Sequence, residues 1–280
     1  MERKTALITG ATAGIGKVTA KKLAFKNYKI VIVGRNKEKT EECVAEIKRD
    51  TTNPHIEYLL GDLSVMDDAR RVANEFNDKY EHLHLLINNA GGVYQSRELT
   101  SEGFEKTMAT NHLSHFILTN ILLDKIKKSG PARIVNVSSM SHYQGRWNPK
   151  DINMAKKYFV LWAYGNSKLY NVLFTKQLAK DLKDSNITAN CLHPGVVKTK
   201  IGSKNTKWWG AAAWSLLTAF KGISEEEGAK TSLYLATSPE VEGVNGKYFD
   251  KCKEKQSSDI SNDPKVAEEL WKMSLEMAKI

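Results

Sequence analysis

The chain has 280 residues, 41% hydrophobic and 26% charged, which supplies one large buried core or two small ones and excludes disorder, collagen and coiled coil. Lys and Arg number 42 against 32 Asp and Glu, a formal net charge of +10 that points towards anionic partners without choosing among phosphorylated cofactors, nucleic acid and acidic lipid.

Short, near-continuous apolar runs at 6–9, 29–33, 56–60, 85–88, 133–138 and 188–192 have the length and composition of strands covered on both faces. Between them, helical periodicity falls on 15–26, 37–49, 65–80, 102–126 and 162–183. Strand and helix in alternation predict an α/β architecture, a parallel sheet with right-handed crossovers wound on both faces. No internal repeat and no Pro/Gly/Ser-rich linker divides the chain, so residues 1–280 are expected to form one domain. At the C-terminus Asp263 reads as an N-cap before Pro264, and Val266, Leu270, Met273 and Met277 mark one face of a helix over 263–280. That face docks on the core or, as the alternative, on a partner.

The first residues run directly into a brief apolar stretch ending at Gly10, so neither a secretory signal nor a membrane span is expected there. The longest apolar-rich run, 208–220, is too short to cross a bilayer, which needs roughly 20 residues. Cys43, Cys191 and Cys252 are odd in number and lack CxxC spacing, which disfavours a disulfide framework or a zinc site and fits a reducing, cytosolic setting.

After the first run comes Thr9-Gly10-Ala11-Thr12-Ala13-Gly14-Ile15-Gly16, and then a helix. Glycines at 10, 14 and 16 allow a tight turn and a close backbone approach, and leave a helix N-terminus facing a pyrophosphate; strand, glycines and helix in that order are what a dinucleotide site requires. Sites for NAD usually carry an acid about 20 residues further on, which binds the ribose 2′-hydroxyl. Here that position is Gly34, followed by Arg35, which can pair with a 2′-phosphate; the reading is NADP(H) in preference to NAD(H).

Tyr164 is the one tyrosine with a lysine four residues on, Lys168. Helical spacing puts the ammonium on the same face as the phenol, and a neighbouring cation lowers a phenol pKa towards the range useful for proton transfer. Ser138 and Ser139 end the fifth run, Asn88 to Gly91 end the fourth, and ligands of open α/β sheets bind at those strand ends. Asn111 lies within the helix that follows.

Taken together, these motifs resemble the short-chain dehydrogenase/reductase family across essentially the whole chain: Thr9 to Gly16, Asn88 to Gly91, Ser139, Tyr164 to Lys168, and Pro194-Gly195 followed by Thr199. Asn111 to Phe116, Tyr164 to Leu169, His193 to Val197, Gly228 to Tyr234 and Gly243 to Phe249 are similar to its retinol dehydrogenase-like branch. The resemblance implies a Rossmann-type sheet of about seven strands. It implies hydride transfer between a nicotinamide and a carbonyl carbon, with Tyr164 as acid/base, Ser139 orienting the substrate oxygen, Lys168 tuning the phenol and holding the ribose, and Asn111 supporting a proton relay. Its cofactor positions fall on Gly10, Gly14, Ile15, Gly16, Arg35, Asp62, Leu63, Asn89, Lys168, Val197 and Thr199; Asp62 could equally cap the next helix. Membrane-resident members carry an N-terminal apolar anchor, which is not expected here.

Between Ser139 and Tyr164 stand Tyr143, Trp147, Tyr158, Phe159 and Trp162, and after Thr199 comes 207–221, apolar through its middle and basic at both ends. In the family 196–225 is the substrate lid, which implies an apolar pocket and a lipophilic aldehyde, ketone or alcohol. The alternatives for 207–221 are a packed surface helix or an interfacial helix touching lipid. His112 and His115 lack an HExxH partner, so they read as packing residues and no metal is expected. No nucleic-acid motif accompanies the positive charge. A homodimer through the two long helices is open, and a non-catalytic NADP(H)-binding sensor or scaffold is the alternative to an enzyme.

Overall fold

A computed structural model describes residues 3–197 and 222–280. Thr199 and the 207–221 segment lie outside the described residues.

The strands are Thr5–Thr9 (β1), Lys29–Gly34 (β2), Ile56–Leu60 (β3), Leu85–Asn88 (β4), Ala132–Val137 (β5), Ile187–His193 (β6), Tyr248–Asp250 (β7) and Lys253–Glu254 (β8). They form one sheet in the order β3-β2-β1-β4-β5-β6-β7-β8. The pairings from β3 to β7 are parallel, and β8 folds back antiparallel on β7. This short hairpin takes the count to eight rather than about seven; Lys251 and Cys252, both left-handed at φ 52° and 60°, make its tight turn. Strand order reverses between β1 and β4, and the crevice outside their carboxyl ends is where such sheets bind ligands.

The described helices are Gly14–Phe25 (α1), Lys37–Thr51 (α2), Met66–Lys79 (α3), Lys106–Met108 (α4, one turn), Ser114–Lys128 (α5), Val160–Asp181 (α6), Glu225–Thr237 (α7) and Pro264–Ala278 (α8). Strand side chains alternate between two cores, as a pleated strand dictates. Ala6, Ile8, Ile30 and Ile32 pack with α1, α2 and α7, whereas Leu7, Val31 and Val33 share a cluster with α3, α5, α6 and α8. Among the described residues no helix is long and apolar enough to cross a membrane.

Two expected elements need correction. The helix expected over 102–126 starts at Lys106, because Gly103 turns left-handed at φ +85° and the Glu102 carboxylate instead accepts the Met66 amide at 2.7 Å, at the start of α3. A π-turn, Ala109–Leu113, then interrupts it before α5, and such turns are common at functional sites. In α8, Asp263 caps through the Lys265 amide at 2.9 Å as expected. Its buried stripe, however, is Ala267, Leu270, Ser274 and Ala278, with Val266, Met273 and Met277 only partly covered. Small residues on that stripe allow close approach, and Trp271 packs edge-on against Phe116 at 4.9 Å and stacks on Phe174 at 5.8 Å. Where it is contacted by Trp271, the face of α5 and α6 therefore belongs to the interior. Trp271→Ala should cost ~2–4 kcal/mol in urea denaturation with an unchanged m value; a loss below about 0.5 kcal/mol would show that α8 is not part of the core.

Candidate active site

The turn after β1 and the loop after β4 are built against each other. Gly10 and Gly14 are left-handed, at φ +64° and +62°. A Cβ on Gly10 would lie 2.8 Å from the Ala90 Cα, and one on Gly16 would lie 2.5 Å from both Asn89 Nδ2 and the Gly10 carbonyl. Asn89 Nδ2 donates to the Thr9 and Gly10 carbonyls at 2.9 and 3.2 Å, and Thr9 Oγ1 accepts the amides of Asn89 and Ala90, both at 2.9 Å. The N-cap of α1, Ala13, provides no side-chain acceptor, and no acid occupies the first turn. Those first amides and the positive end of the helix therefore suit a pyrophosphate. Ile15 and Val197 flank Gly228 of α7, where a Cβ would meet them at 3.2 and 2.6 Å, so both help fix the outer wall of the turn.

At the end of β2, the space a side chain at Gly34 would take is already filled: its Cβ would lie 2.2 Å from Thr40 Oγ1 and 2.8 Å from Thr12 Cγ2. The glycine thus serves strand–helix packing, and Arg35 follows it at the strand end. Its exposed guanidinium lies 3.5 Å from Asp62 Oδ2. Asp62 does not cap α3 as anticipated: Oδ1 accepts the Ser64 amide at 2.9 Å and its hydroxyl at 2.8 Å within the turn, while the first amides of α3 go to Glu102. The Leu63 side chain is in the core.

Across the crevice, Tyr164 and Lys168 share a face of α6, with Lys168 Nζ 5.6 Å from the phenol ring centroid. The Ser139 hydroxyl stands against the Tyr164 phenol and favours its ionised form, whereas burial pushes the phenol above its ordinary value and prevails. The cation-lowered phenol expected from the spacing is therefore not what this geometry produces, because desolvation of the phenol prevails; Lys168, 3% exposed, is itself brought by burial to about 8. Its ammonium donates to the Val137 carbonyl at 3.0 Å. Ser138, by contrast, is buried and donates to the Lys168 carbonyl at 2.8 Å, anchoring α6.

Asn111, in the π-turn, clasps the loop after β4. Its Oδ1 accepts the Gly92 amide at 2.7 Å, and its Nδ2 donates to the Gly92 carbonyl at 3.0 Å and to Ser167 Oγ at 2.9 Å. A Cβ on Gly91 would fall 3.3 Å from Asn111 Oδ1 and 3.5 Å from Lys168 Nζ, which shows how closely the loop passes. His112 and His115 are buried, and burial holds both well below the usual histidine range; His112 bonds Ser274 of α8 at 2.9 Å. Of the five aromatics between Ser139 and Tyr164, Trp147 packs edge-on against Tyr170, and Tyr158 donates to the Tyr94 carbonyl at 2.7 Å. Tyr143 and Phe159 stay exposed, and Phe159 meets Trp162 edge-on. His142, which the sequence does not mark, and His193, marked there only as part of a family-like segment, grip the turn after Ser139.

The sequence profile of the "short chain dehydrogenase" family matches residues 4–209. The chain belongs to the short-chain dehydrogenase/reductase family, in its retinol dehydrogenase-like branch, and is an oxidoreductase of the kind that acts on CH–OH donors and binds a nicotinamide cofactor. It is 40% identical over 277 residues to retinol dehydrogenase 12 of Mus musculus, covering 99% of this chain and 87% of that protein. It is also 40% identical over 283 residues to polyprenol dehydrogenase of Homo sapiens, covering 99% and 86%. A solved structure of a Mycobacterium paratuberculosis protein superposes with a TM-score of 0.78 at 30% identity, covering 99% of this chain and 93% of that one.

Gly10→Ala should lose more than about 2 kcal/mol of stability, since the strained φ and the backbone contact at Ala90 cannot both be relieved. Chemical denaturation measures it, and a variant as stable as the parent would contradict the close approach.

Proposed function

We propose that this protein is an NADP(H)-dependent oxidoreductase interconverting a lipophilic aldehyde or ketone and its alcohol. The observation that carries the reading is the Ser139 hydroxyl against the Tyr164 phenol, with Lys168 on the same helix face, across the crevice from the uncapped start of α1. Gly10, Gly14, Ile15, Gly16 and Asn89 form the cradle for a dinucleotide. Arg35 would take the 2′-phosphate, Asp62 and Leu63 would border the adenine, and Val197 and Thr199 would border the nicotinamide end. When bound, that cofactor supplies or accepts the hydride.

The chain's own groups do the rest. Ser139 donates a hydrogen bond to the substrate oxygen and orients it, and Tyr164 gives that oxygen its proton in reduction or takes it back in oxidation. Lys168 supplies a positive field beside the phenol and binds ribose hydroxyls; Asn111 holds the loop that closes the back of the site and supports proton return. Two relatives are named for retinol and polyprenol, both alcohols on long apolar chains, and the exposed Phe159 and Tyr143 near the crevice suit such a substrate.

Reduction requires the phenol protonated, which its raised pKa ensures well beyond neutrality, and Lys168 as ammonium, which is lost on rising through about pH 8. Carbonyl reduction, followed as loss of NADPH absorbance over a panel of apolar aldehydes, should therefore hold kcat/KM level up to about pH 8 and decline above it. Tyr164→Phe should abolish turnover while still binding NADPH; normal turnover in that variant would remove the mechanism, and tight NADPH binding by the parent without turnover on any carbonyl would favour a sensor. For cofactor choice, Arg35→Ala should raise KM for NADPH ~10- to 100-fold and leave NADH unaffected. An equal rise for both would place the 2′-phosphate elsewhere.

A further inference from the structure

The peptide unit between Ser139 and Met140 is gripped at both ends by histidines. Its carbonyl, that of Ser139, accepts the His142 amide at 3.1 Å and lies 2.7 Å from His142 Nδ1. Its N–H, that of Met140, donates to His193 Nδ1 at 3.2 Å. The Ser258 amide lies 3.2 Å from His142 Nε2, and an amide can only donate, so Nε2 is the acceptor; Nδ1 carries the ring proton and donates it to the Ser139 carbonyl. His142 is fully buried, packed between Tyr143 at 4.0 Å and Tyr248 of β7 at 4.6 Å. The segment on its far side is tied in again by Tyr143, whose hydroxyl donates to the Gln256 carbonyl. Burial holds His142 at about 4 and His193 below its ordinary value, so both rings stay neutral and this pattern of donors and acceptors persists through the neutral range.

We propose that His142 is a positioning residue for Ser139: by bridging the Ser139 carbonyl and the Ser258 amide, it fixes the peptide plane from which the Ser139 hydroxyl is aimed at the Tyr164 phenol and the substrate oxygen. The inference rests on the role given to Ser139 above. It makes the C-terminal segment 256–258 part of the machinery that orients the reactive serine. The hydroxyl has little other restraint, since its remaining contacts are local, to the Ser141 amide at 3.1 Å and the Ser141 hydroxyl at 3.3 Å.

The test compares His142→Ala, His142→Asn and His142→Gln in the full chain. An asparagine amide places its N–H where Nδ1 stands, whereas a glutamine amide reaches the Nε2 position and leaves the Ser139 carbonyl without its side-chain donor. His142→Ala should lower reductive kcat ~10- to 100-fold, as a displaced reacting group does, while KM for NADPH changes less than about twofold because the glycine turn is untouched. His142→Asn, which restores the donor to the Ser139 carbonyl but not the acceptor for the Ser258 amide, should recover part of that loss, and His142→Gln should not. Unchanged kcat in His142→Ala, or equal recovery by the two amides, overturns the proposal. Should the alanine variant fail to fold, the contrast between asparagine and glutamine at matched Tm decides it.

A readout independent of turnover separates this inference from the proposed function. With 13Cζ-labelled tyrosine, the Tyr164 resonance should move when Ser139 is displaced in His142→Ala and return in part in His142→Asn. An unmoved resonance overturns the positioning role; a moved and partly restored resonance in a protein that reduces no carbonyl upholds it and sinks the assigned activity alone.

Discussion

A buried ammonium with a neutral partner governs this site. Lys168 is 3% exposed and bonded to a main-chain carbonyl, and among the described residues no carboxylate pairs with it. Holding a lysine at about 8 rather than 10.5 costs the folded state about 3 kcal/mol. The sign is that of a depressed cation: the cost is complete below about pH 8 and fades as pH rises towards 10.5, where the unfolded lysine loses its proton as well. Natural folds retain such a group where its field is used, and here it lies beside a half-buried phenol at the carboxyl end of central strand β5. A ligand bringing hydroxyl oxygens to Nζ would restore part of the lost solvation.

The surroundings of Lys168 are polar but uncharged, and they are rigid. Asn88 of β4 and Asn136 of β5 are register partners in the middle of the sheet, joined at 2.8 Å. The chain of contacts continues from Asn88 to Thr119 of α5 and from Asn136 to Thr175 of α6, at 3.0 and 2.9 Å. Side-chain amides in a sheet interior are costly unless paired, so this ladder specifies how α5 and α6 sit across the two strands. The π-turn leading into α5, helix α6 and the end of β5 carry Asn111, Tyr164, Lys168 and Ser139, so the ladder sets the frame within which those groups meet.

How much of this could be read in the amino-acid pattern depends on whether the signal is local. Strands β1, β2, β4, β5 and β6 were legible because both of their faces are covered, and covered strands are written as near-continuous apolar runs; β3, at the sheet edge with Glu57 exposed, was legible from its apolar ends. Tyr164, Lys168 and the glycine turn were legible because their spacing alone fixes a shared face or a turn. Glu102 misled the reading of the next helix: it looks helical in its own neighbourhood, but its carboxylate is spent on α3, a contact made across 36 positions. The π-turn at Asn111 leaves no periodic trace, since one extra residue per turn is lost in the scatter of helical spacing. For β7 and β8, three residues and two are too few for any pattern to register. Gly34 was noticed for a different reason from the one that holds it, because the Thr12 and Thr40 side chains that fill its space come together only in the fold.

The C-terminal third shows the same limit where it matters most for chemistry. Helix α8 was anticipated from its cap, yet its buried stripe is Ala267, Leu270, Ser274 and Ala278, with Trp271 set against Phe116 of α5 and Phe174 of α6, and the methionines that drew attention are only partly covered. The segment just before it touches His142 across 116 positions, and His142 in turn touches Ser139 three residues away. A serine whose position in sequence is obvious thus takes its orientation from residues near the end of the chain.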